Sequence, residues 1–393
     1  MPREYTHKIV YAAGNSAGNR RPLVSKITIE LTERCNNNCI HCCINLPAND
    51  KEARNRELTA EEIKKVLIEA ASLGCRSVKF TGGEPLLRDD IVELCLFAKR
   101  LKLIVEVATN ATLLSDHRLA ALFVERAIDF LFVTLYGMKE ETYEAVTRTA
   151  GSFFAARRGL QLIMRSKIPF MVNSVLLPEN RSELIEYKSW AATLPLTKGE
   201  QFALPIMLLH CRARRDSEAK NEFIKSLRIS PDEALSIMAE DKDAFVSALR
   251  EYCSRSIQDS GDKLFRCGAG VGTACLDAYG NYQLCLLLRH QDTVYPLGRG
   301  SLKDAVDVFF QQVRELTPEN PEYIERCHRC FLRGLLCDQC PAKSWMENGT
   351  LDSPVEYLCK IAHCKARLIG ILNHGESAWN IKNGKRRMVR FIA

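Results

Sequence analysis

Between residues 24 and 208 the sequence alternates short β-branched or apolar runs with stretches of helical period, and this alternation restricts the fold more than any other feature. The runs are VSKITIEL (24–31), SVKF (77–80), IVEVAT (104–109), DFLFVTL (129–135), FMVNSVLL (170–177) and FALPIML (202–208). LTAEEIKKVLIEAASLG (58–74) opens on a Thr cap with an acidic first turn and closes on Gly, as a helix should. DIVELCLFAKRL, DHRLAALFVERA and FFAARRGLQLIMRS follow the same plan. Strands that alternate with helices pair in parallel through right-handed crossovers. Six strands predict an α/β chain, a partial (β/α)6 TIM-type barrel rather than the closed eight-stranded form. In such barrels the chemistry gathers at the carboxyl ends of the strands. The unusual polar residues fall there: CNNNCIHCC (35–43) after the first run, TGGEP after the second, Thr109-Asn110 at the end of the third, Thr134 at the end of the fourth and Asn173 within the fifth.

Past residue 205 the pattern changes. Residues 206–263 read as a helical insertion ending in the linker SIQDSGDK (256–263). From Cys267 cysteines become dense and regular helices scarce, which marks a metal-organised domain. The expected division is 1–23 as an N-terminal extension, 24–205 as the barrel, 206–263 as insertion and linker, 264–365 as a cysteine-rich domain and 366–393 as a basic tail. That tail, around KNGKRRMVR, reads as a solvated, frayed terminus. The net charge of +7 is modest for 393 residues. With no basic module bearing interleaved aromatics, nucleic acid is not an expected partner. No apolar run is long enough to span a bilayer, and the start lacks a signal-peptide core, so a cytoplasmic protein is expected.

Seventeen cysteines exceed what packing requires. In a reducing compartment, clustered thiols read as metal ligands rather than disulfides. Soft thiolates select zinc, Cu(I) or iron–sulfur. Structural zinc pairs one C-x2-C with a second, and no second pair lies near Cys35, Cys39 and Cys42. Three thiolates hold three irons of a [4Fe–4S] cluster and leave the fourth open to a small molecule. Cys43 offers a competing register, but Cys42 fits C-x3-C-x2-C, and Cys43 is expected to pack away.

That spacing, with His41 before the last cysteine, resembles the radical SAM superfamily, and TGGEPLLR (81–88) resembles its S-adenosylmethionine motif. The resemblance covers roughly residues 24–205. It implies that the open iron chelates S-adenosylmethionine and that reductive cleavage yields a 5′-deoxyadenosyl radical. It also implies an electron donor such as flavodoxin or ferredoxin. Carried over by motif, Gly82 and Gly83 let the backbone approach the methionyl ammonium, Glu84 sits beside it and Pro85 fixes the turn. Asn110 and Thr134 are candidates for the methionyl carboxylate or the ribose, with helix capping the alternative. Arg148 matches an arginine placed near that carboxylate, and Asn173 is a further candidate.

The C-terminal cysteines resemble the SPASM domain of radical SAM peptide maturases, which carries two auxiliary [4Fe–4S] clusters. The family's interleaved ligation implies Cys267, Cys275, Cys285 and Cys340 for one cluster and Cys327, Cys330, Cys337 and Cys359 for the other. The central spacings, x6 and x2, depart from the family's x5 and x3. Taken alone, C-x2-C-x6-C-x2-C also fits structural zinc. Cys75 and Cys95 read as packed helix residues, and Cys211 as a residue that could face the cavity.

The expected activity is radical modification of a ribosomally made peptide: a thioether or C–C crosslink, or an epimerisation. About 24 residues precede the first strand, so a separate recognition protein, or direct binding of the leader, is expected to present the peptide. A formylglycine-forming sulfatase maturase is the alternative enzyme, but Leu286 follows Cys285 where those enzymes have Asp. Thr134-Leu135-Tyr136-Gly137 likewise replaces their Ser-Leu-Asp-Gly. Asp277 and His290 read as solvated loop residues or substitute bases. A zinc-stabilised binding protein is the non-catalytic alternative.

Overall fold

The computed structural model describes residues 23–44, 46–194, 206–207, 217–256 and 262–393. Cys211, residues 1–22, most of the sixth predicted run and residues 257–261 of the predicted linker lie outside that set. The described residues fall into two compact units: 23–227 with 268–311, and 228–267 with 312–393.

The first unit is built on one nine-stranded sheet. Its strands are β1 (Val24–Thr32), β2 (Ser77–Gly82), β3 (Ile104–Thr109), β4 (Phe130–Thr134), β5 (Phe170–Val175), β6 (Ile206–Met207), β7 (Gly272–Leu276), β8 (Asn281–Gln283) and β9 (Val294–Pro296). The spatial order is β9-β8-β7-β1-β2-β3-β4-β5-β6. From β1 to β6 every pairing is parallel. Ile27, Ile29, Val78, Phe80, Val105, Val107, Leu131 and Val133 are fully buried, one alternating face of each strand. The opposite face is mixed: Lys26 on β1 reaches past β2 to Glu106 on β3, at 2.8 and 2.6 Å, while Phe130 and Phe132 pack together on β4. The helix Ala60–Ser72 begins as predicted, with Thr59 and Glu62 forming a reciprocal capping box.

The predicted boundary at residue 264 does not coincide with the division into units. Residues 268–311 belong with the barrel, because β7 runs parallel to β1 with Thr28 opposite Cys275, and β8 and β9 continue antiparallel. The predicted insertion is also divided. The helix Glu218–Ser226 goes with the barrel, and the helices Pro231–Met238 and Lys242–Ser256 with the second unit.

In the second unit, the predicted frayed tail is instead folded. The helix Glu356–Leu368 runs through the expected boundary at 366, and a last helix spans Gly384–Ile392. Met388 and Phe391 are buried in a core with Cys253, Phe331, Leu332 and Leu336. A Cβ on Gly384 would meet the Phe331 ring at 2.1 Å, so glycine is required at that contact. Arg250 donates to the Phe391 carbonyl at 2.7 Å and covers its ring at 5.1 Å. Lys385, Arg386 and Arg390 point to solvent, so the charge that suggested fraying decorates one face of an anchored helix. Among the described residues no helix is long and apolar enough to cross a membrane.

Phe391→Ala is expected to cost about 3 kcal/mol, the usual penalty for emptying a buried ring. A denaturant midpoint unchanged from that of the parent would show that the tail does not contribute to this core.

Candidate active site

The loop after β1 holds Cys35, Cys39 and Cys42, and its backbone has few partners of its own. It borrows them from a helix end. The last carbonyls of the helix Glu140–Thr147 have no intrahelical donor. Thr147 O accepts from Asn38 N and Val146 O from Ile40 N, both at 2.9 Å. Arg148, left-handed at φ 50°, donates from Nε to Asn38 O at 2.8 Å and from Nη2 to Asn38 Oδ1 at 3.1 Å. Its guanidinium also favours the thiolate of Cys39. Thus Arg148 grips the cysteine loop.

The other side of the loop rests on the turn after β2. Gly83 N donates to Thr32 O at 2.8 Å, and Glu84 N to Arg34 O at 2.9 Å. A Cβ on Gly82 would lie 2.1 Å from Thr32 O and one on Gly83 2.2 Å from Arg34 O. Gly82 also has a φ of +134°. Both glycines therefore serve the close approach of two protein backbones. Pro85 opens the short 3-10 turn Pro85–Leu87.

Glu84 lies at the junction of β2 and β3. It is fully buried, and its carboxylate accepts from Leu86 N at 3.1 Å, Thr109 Oγ1 at 2.9 Å and Asn110 N at 2.8 Å. The side chain is spent on joining the ends of β2 and β3. Burial lifts its carboxyl to about 7 against the pull of those donors. The Asn110 amide donates to Asn36 Oδ1 at 3.0 Å and approaches Cys35 Sγ at 3.7 Å. Thr134 donates to Asn173 Oδ1 at 3.0 Å, so these two candidates sit together on adjoining strands.

Behind the loop lies a buried ion network. Arg34 makes a two-pronged contact with Glu57 at 2.8 and 2.9 Å, and Thr32 donates to the same carboxylate. Arg88 approaches Glu57 at 3.7 Å and holds Asp90 with two bonds at 2.8 and 2.6 Å.

Burial raises the thiols of Cys35 and Cys39, the latter to about 12; Cys35 also feels the charge of Cys39 and Cys42, and Cys39 that of Cys42. The Tyr136 hydroxyl hydrogen-bonds Cys39, and the His41 ring meets Tyr136 edge-on at 5.1 Å. The side-chain amide of Asn37, between two of the cysteines, is buried with neither polar atom partnered, and His41 Nδ1 is buried and unpartnered too. Three soft donors flanked by orphaned polar atoms fit an iron–sulfur cluster with a small polar ligand. Cys43 is half-buried.

In the second unit Cys327, Cys330, Cys337 and Cys359 line one cavity with Arg326, His363 and Trp379. Burial pushes Cys327, Cys330 and Cys337 up to about 12. Among the described residues, no group of three or more His, Cys, Asp or Glu converges as a single metal ion requires. The thiols ring a cavity instead. Cys267 and Cys340 belong to this unit, where burial and then the nearby Cys267 raise the Cys340 thiol, whereas Cys275 and Cys285 belong to the barrel unit. Cys75 and Cys95 are buried as expected.

Two residues expected in solvated loops are buried. Asp277 holds the β7–β8 turn, accepting from Tyr279 N at 3.0 Å, Asn281 N at 2.9 Å and Gln283 Nε2 at 3.1 Å. His290 accepts from Asp292 N at 3.2 Å. The sequence signal was present: GTACL and NYQ flank a DAYG turn.

Residues 29–191 match the Radical SAM superfamily. The AdoMet-dependent heme synthase of Methanosarcina barkeri is 33% identical over 161 residues, covering 40% of this chain and 44% of that protein. The PqqA peptide cyclase of Bradyrhizobium diazoefficiens is 32% identical over 161 residues, covering 40% of each. The match thus spans less than half of these relatives. Native anSMEcpe with bound AdoMet and Cp18Cys peptide shares the fold over 87% of this chain and 96% of that one, with a TM-score of 0.58 and 14% identity. Residues 29–191 are therefore a radical SAM domain. The cofactors of that family are a [4Fe–4S] cluster and S-adenosylmethionine.

Gly83→Ala must displace the Arg34 backbone, and we expect bound iron to fall by about four per chain, one cluster. Iron content at the parent level would refute this account of the glycine. Glu84→Ala strands three buried donors; a loss of about 3 kcal/mol is expected, read as a lower melting midpoint.

Proposed function

We propose that this radical SAM enzyme modifies a peptide, by a thioether or C–C crosslink or an epimerisation. The observation that carries the reading is the pairing of the three-cysteine loop at the strand-end rim with a separate ring of four thiols in the second unit. When bound, the [4Fe–4S] cluster and S-adenosylmethionine supply a 5′-deoxyadenosyl radical that takes hydrogen from the substrate. Cys35, Cys39 and Cys42 hold that cluster. The Asn37 amide and His41 Nδ1, buried and unpartnered, are polar atoms on the same loop that a bound ligand could satisfy. Arg148 and Tyr136 fix the loop and offset the negative charge of Cys39. Asn110, Thr134 and Asn173 orient the cofactor's polar groups from neighbouring strand ends. Burial of Asn37, Cys39 and Ile40 keeps part of the loop dry, which would help shield a reactive radical.

Cys327, Cys330, Cys337 and Cys359 hold one auxiliary cluster, and a second is expected from the SPASM-like cysteine pattern. A ring of thiols around a cavity suits a cluster better than zinc, whose four ligands converge at about 2.3 Å from one ion. A separate protein presents the peptide, and a flavodoxin or ferredoxin supplies the electron. The fold shared with a peptide-bound structure supports the peptide.

Anaerobic reconstitution is expected to give about twelve irons per chain, four for each of three clusters, and 5′-deoxyadenosine once S-adenosylmethionine and reductant are added. Replacing Cys35, Cys39 and Cys42 by Ala should abolish the deoxyadenosine while retaining about eight irons. Zinc in place of iron, or cleavage surviving the triple substitution, would sink the assignment. A precursor peptide captured in a pull-down supports the substrate class; capture of none, with or without a recognition protein, counts against it.

A further inference from the structure

A second cavity lies wholly within the barrel unit, and none of the roles above uses it. It encloses about 500 Å³ between the loop after β1, the helix Lys51–Arg56 and the β7–β8 hairpin. That size suits a short peptide segment or one large side chain. Because β1 and β7 are parallel, their carboxyl ends share one rim, and Glu33 lies two residues before Cys35. The cavity therefore adjoins the cysteine loop on the side where barrel chemistry takes place.

Its lining is charged and mostly prearranged. Four carboxylates, Glu33, Asp50, Glu52 and Asp277, face two guanidiniums, Arg56 and Arg289. Arg289 is already committed: it pairs with Glu30, with Glu33 at 3.3 Å and with Asp277 at 3.6 Å. Arg56 lies 4.4 Å over the Tyr279 ring, and the Tyr279 hydroxyl donates to Glu33 at 3.1 Å. Negative charge is thus left over even with Asp277 protonated.

One lining atom points to a ligand. Gln283 is fully buried, and its amide nitrogen donates to Asp277 at 3.1 Å, yet its Oε1 accepts from nothing. A buried acceptor without a donor costs about 1–3 kcal/mol. Nitrogen–hydrogen donors from a bound molecule would satisfy it. Surplus negative charge and an unfilled acceptor together describe a receptor for an ammonium or guanidinium group.

We infer that this cavity binds the cationic group of the substrate, a lysine or arginine side chain or a free amino terminus, and so holds the peptide beside the cysteine loop. The substrate role rests on the peptide-modifying reading; the cation site itself does not. Gln283 and Glu52 are specificity-determining residues in it.

The test uses the full chain, reconstituted anaerobically, and three capped tripeptides: acetyl-Gly-Lys-Gly-amide, its Arg counterpart and its Gln counterpart. Binding is measured calorimetrically. The Lys and Arg peptides should bind about tenfold more tightly than the Gln peptide, the scale of one charge-assisted hydrogen bond. Gln283→Met should erase most of that difference. Glu52→Gln, on an exposed helix where folding is not at risk, should reduce it about twofold because solvent screens the charge. Equal binding of all three peptides would overturn the proposal, as would selectivity unchanged in both variants. Deoxyadenosine formation without any peptide is measured alongside. Its absence in a chain that still selects cations would remove the radical SAM peptide role and leave the site. Its presence without selectivity would do the reverse.

Discussion

The carboxylate of Glu57 sits in the interior with Arg34, Thr32 and Arg88 directed at it, and the geometry of the whole rim follows from that cluster of charges. Arg34 immediately precedes the first cysteine. Arg88 closes the turn begun by the two glycines and also donates to the carbonyls of Leu31 and Leu58, at 3.2 and 2.9 Å. One buried anion therefore fixes the exit of β1, the start of the cysteine loop and the end of the turn after β2. Removing one partner of such a group is costly, about 3–5 kcal/mol, because the others are left charged and dry. The loop itself has almost no regular structure, so its order comes from these borrowed contacts and from the helix end beneath it.

Much of this was legible from the sequence. The alternation of runs and helices specified a parallel sheet, and the capping box at Thr59 was readable because it needs only four consecutive residues. The cysteines and the glycine turn fell at strand ends, as spacing required. The β7–β9 hairpin was not recognised, since dense cysteines suggested a separate domain while Thr28 and Cys275 pair across a long stretch of chain. The last helix was misread because four basic residues mask its two apolar anchors, Met388 and Phe391. The role of Glu84 could not be inferred, because its partners Thr109 and Asn110 come from another strand.

Thiols placed in a dry interior resist ionisation, and both thiol groups here are held in that condition. An iron cluster bound by these cysteines would reverse the balance, since its positive charge would stabilise thiolate. Binding of the group and consolidation of the loop are thus one event rather than two. The orphaned polar atoms of Asn37 and His41 beside the cysteines fit such coupling.

The pairing of β1 with β7 has a consequence for how the chain is made. Ser25 and its partner Gly272 are 247 residues apart. During synthesis β1 can find β2 early, but its other edge stays open until β7 has emerged. Nascent chains would carry an exposed parallel edge for most of translation, a state prone to pairing with the wrong strand. Lys26 and Glu30 on β1 are the kind of charged residues that discourage such errors. The slowest step of assembly is then set by the arrival of a hairpin rather than by the barrel itself.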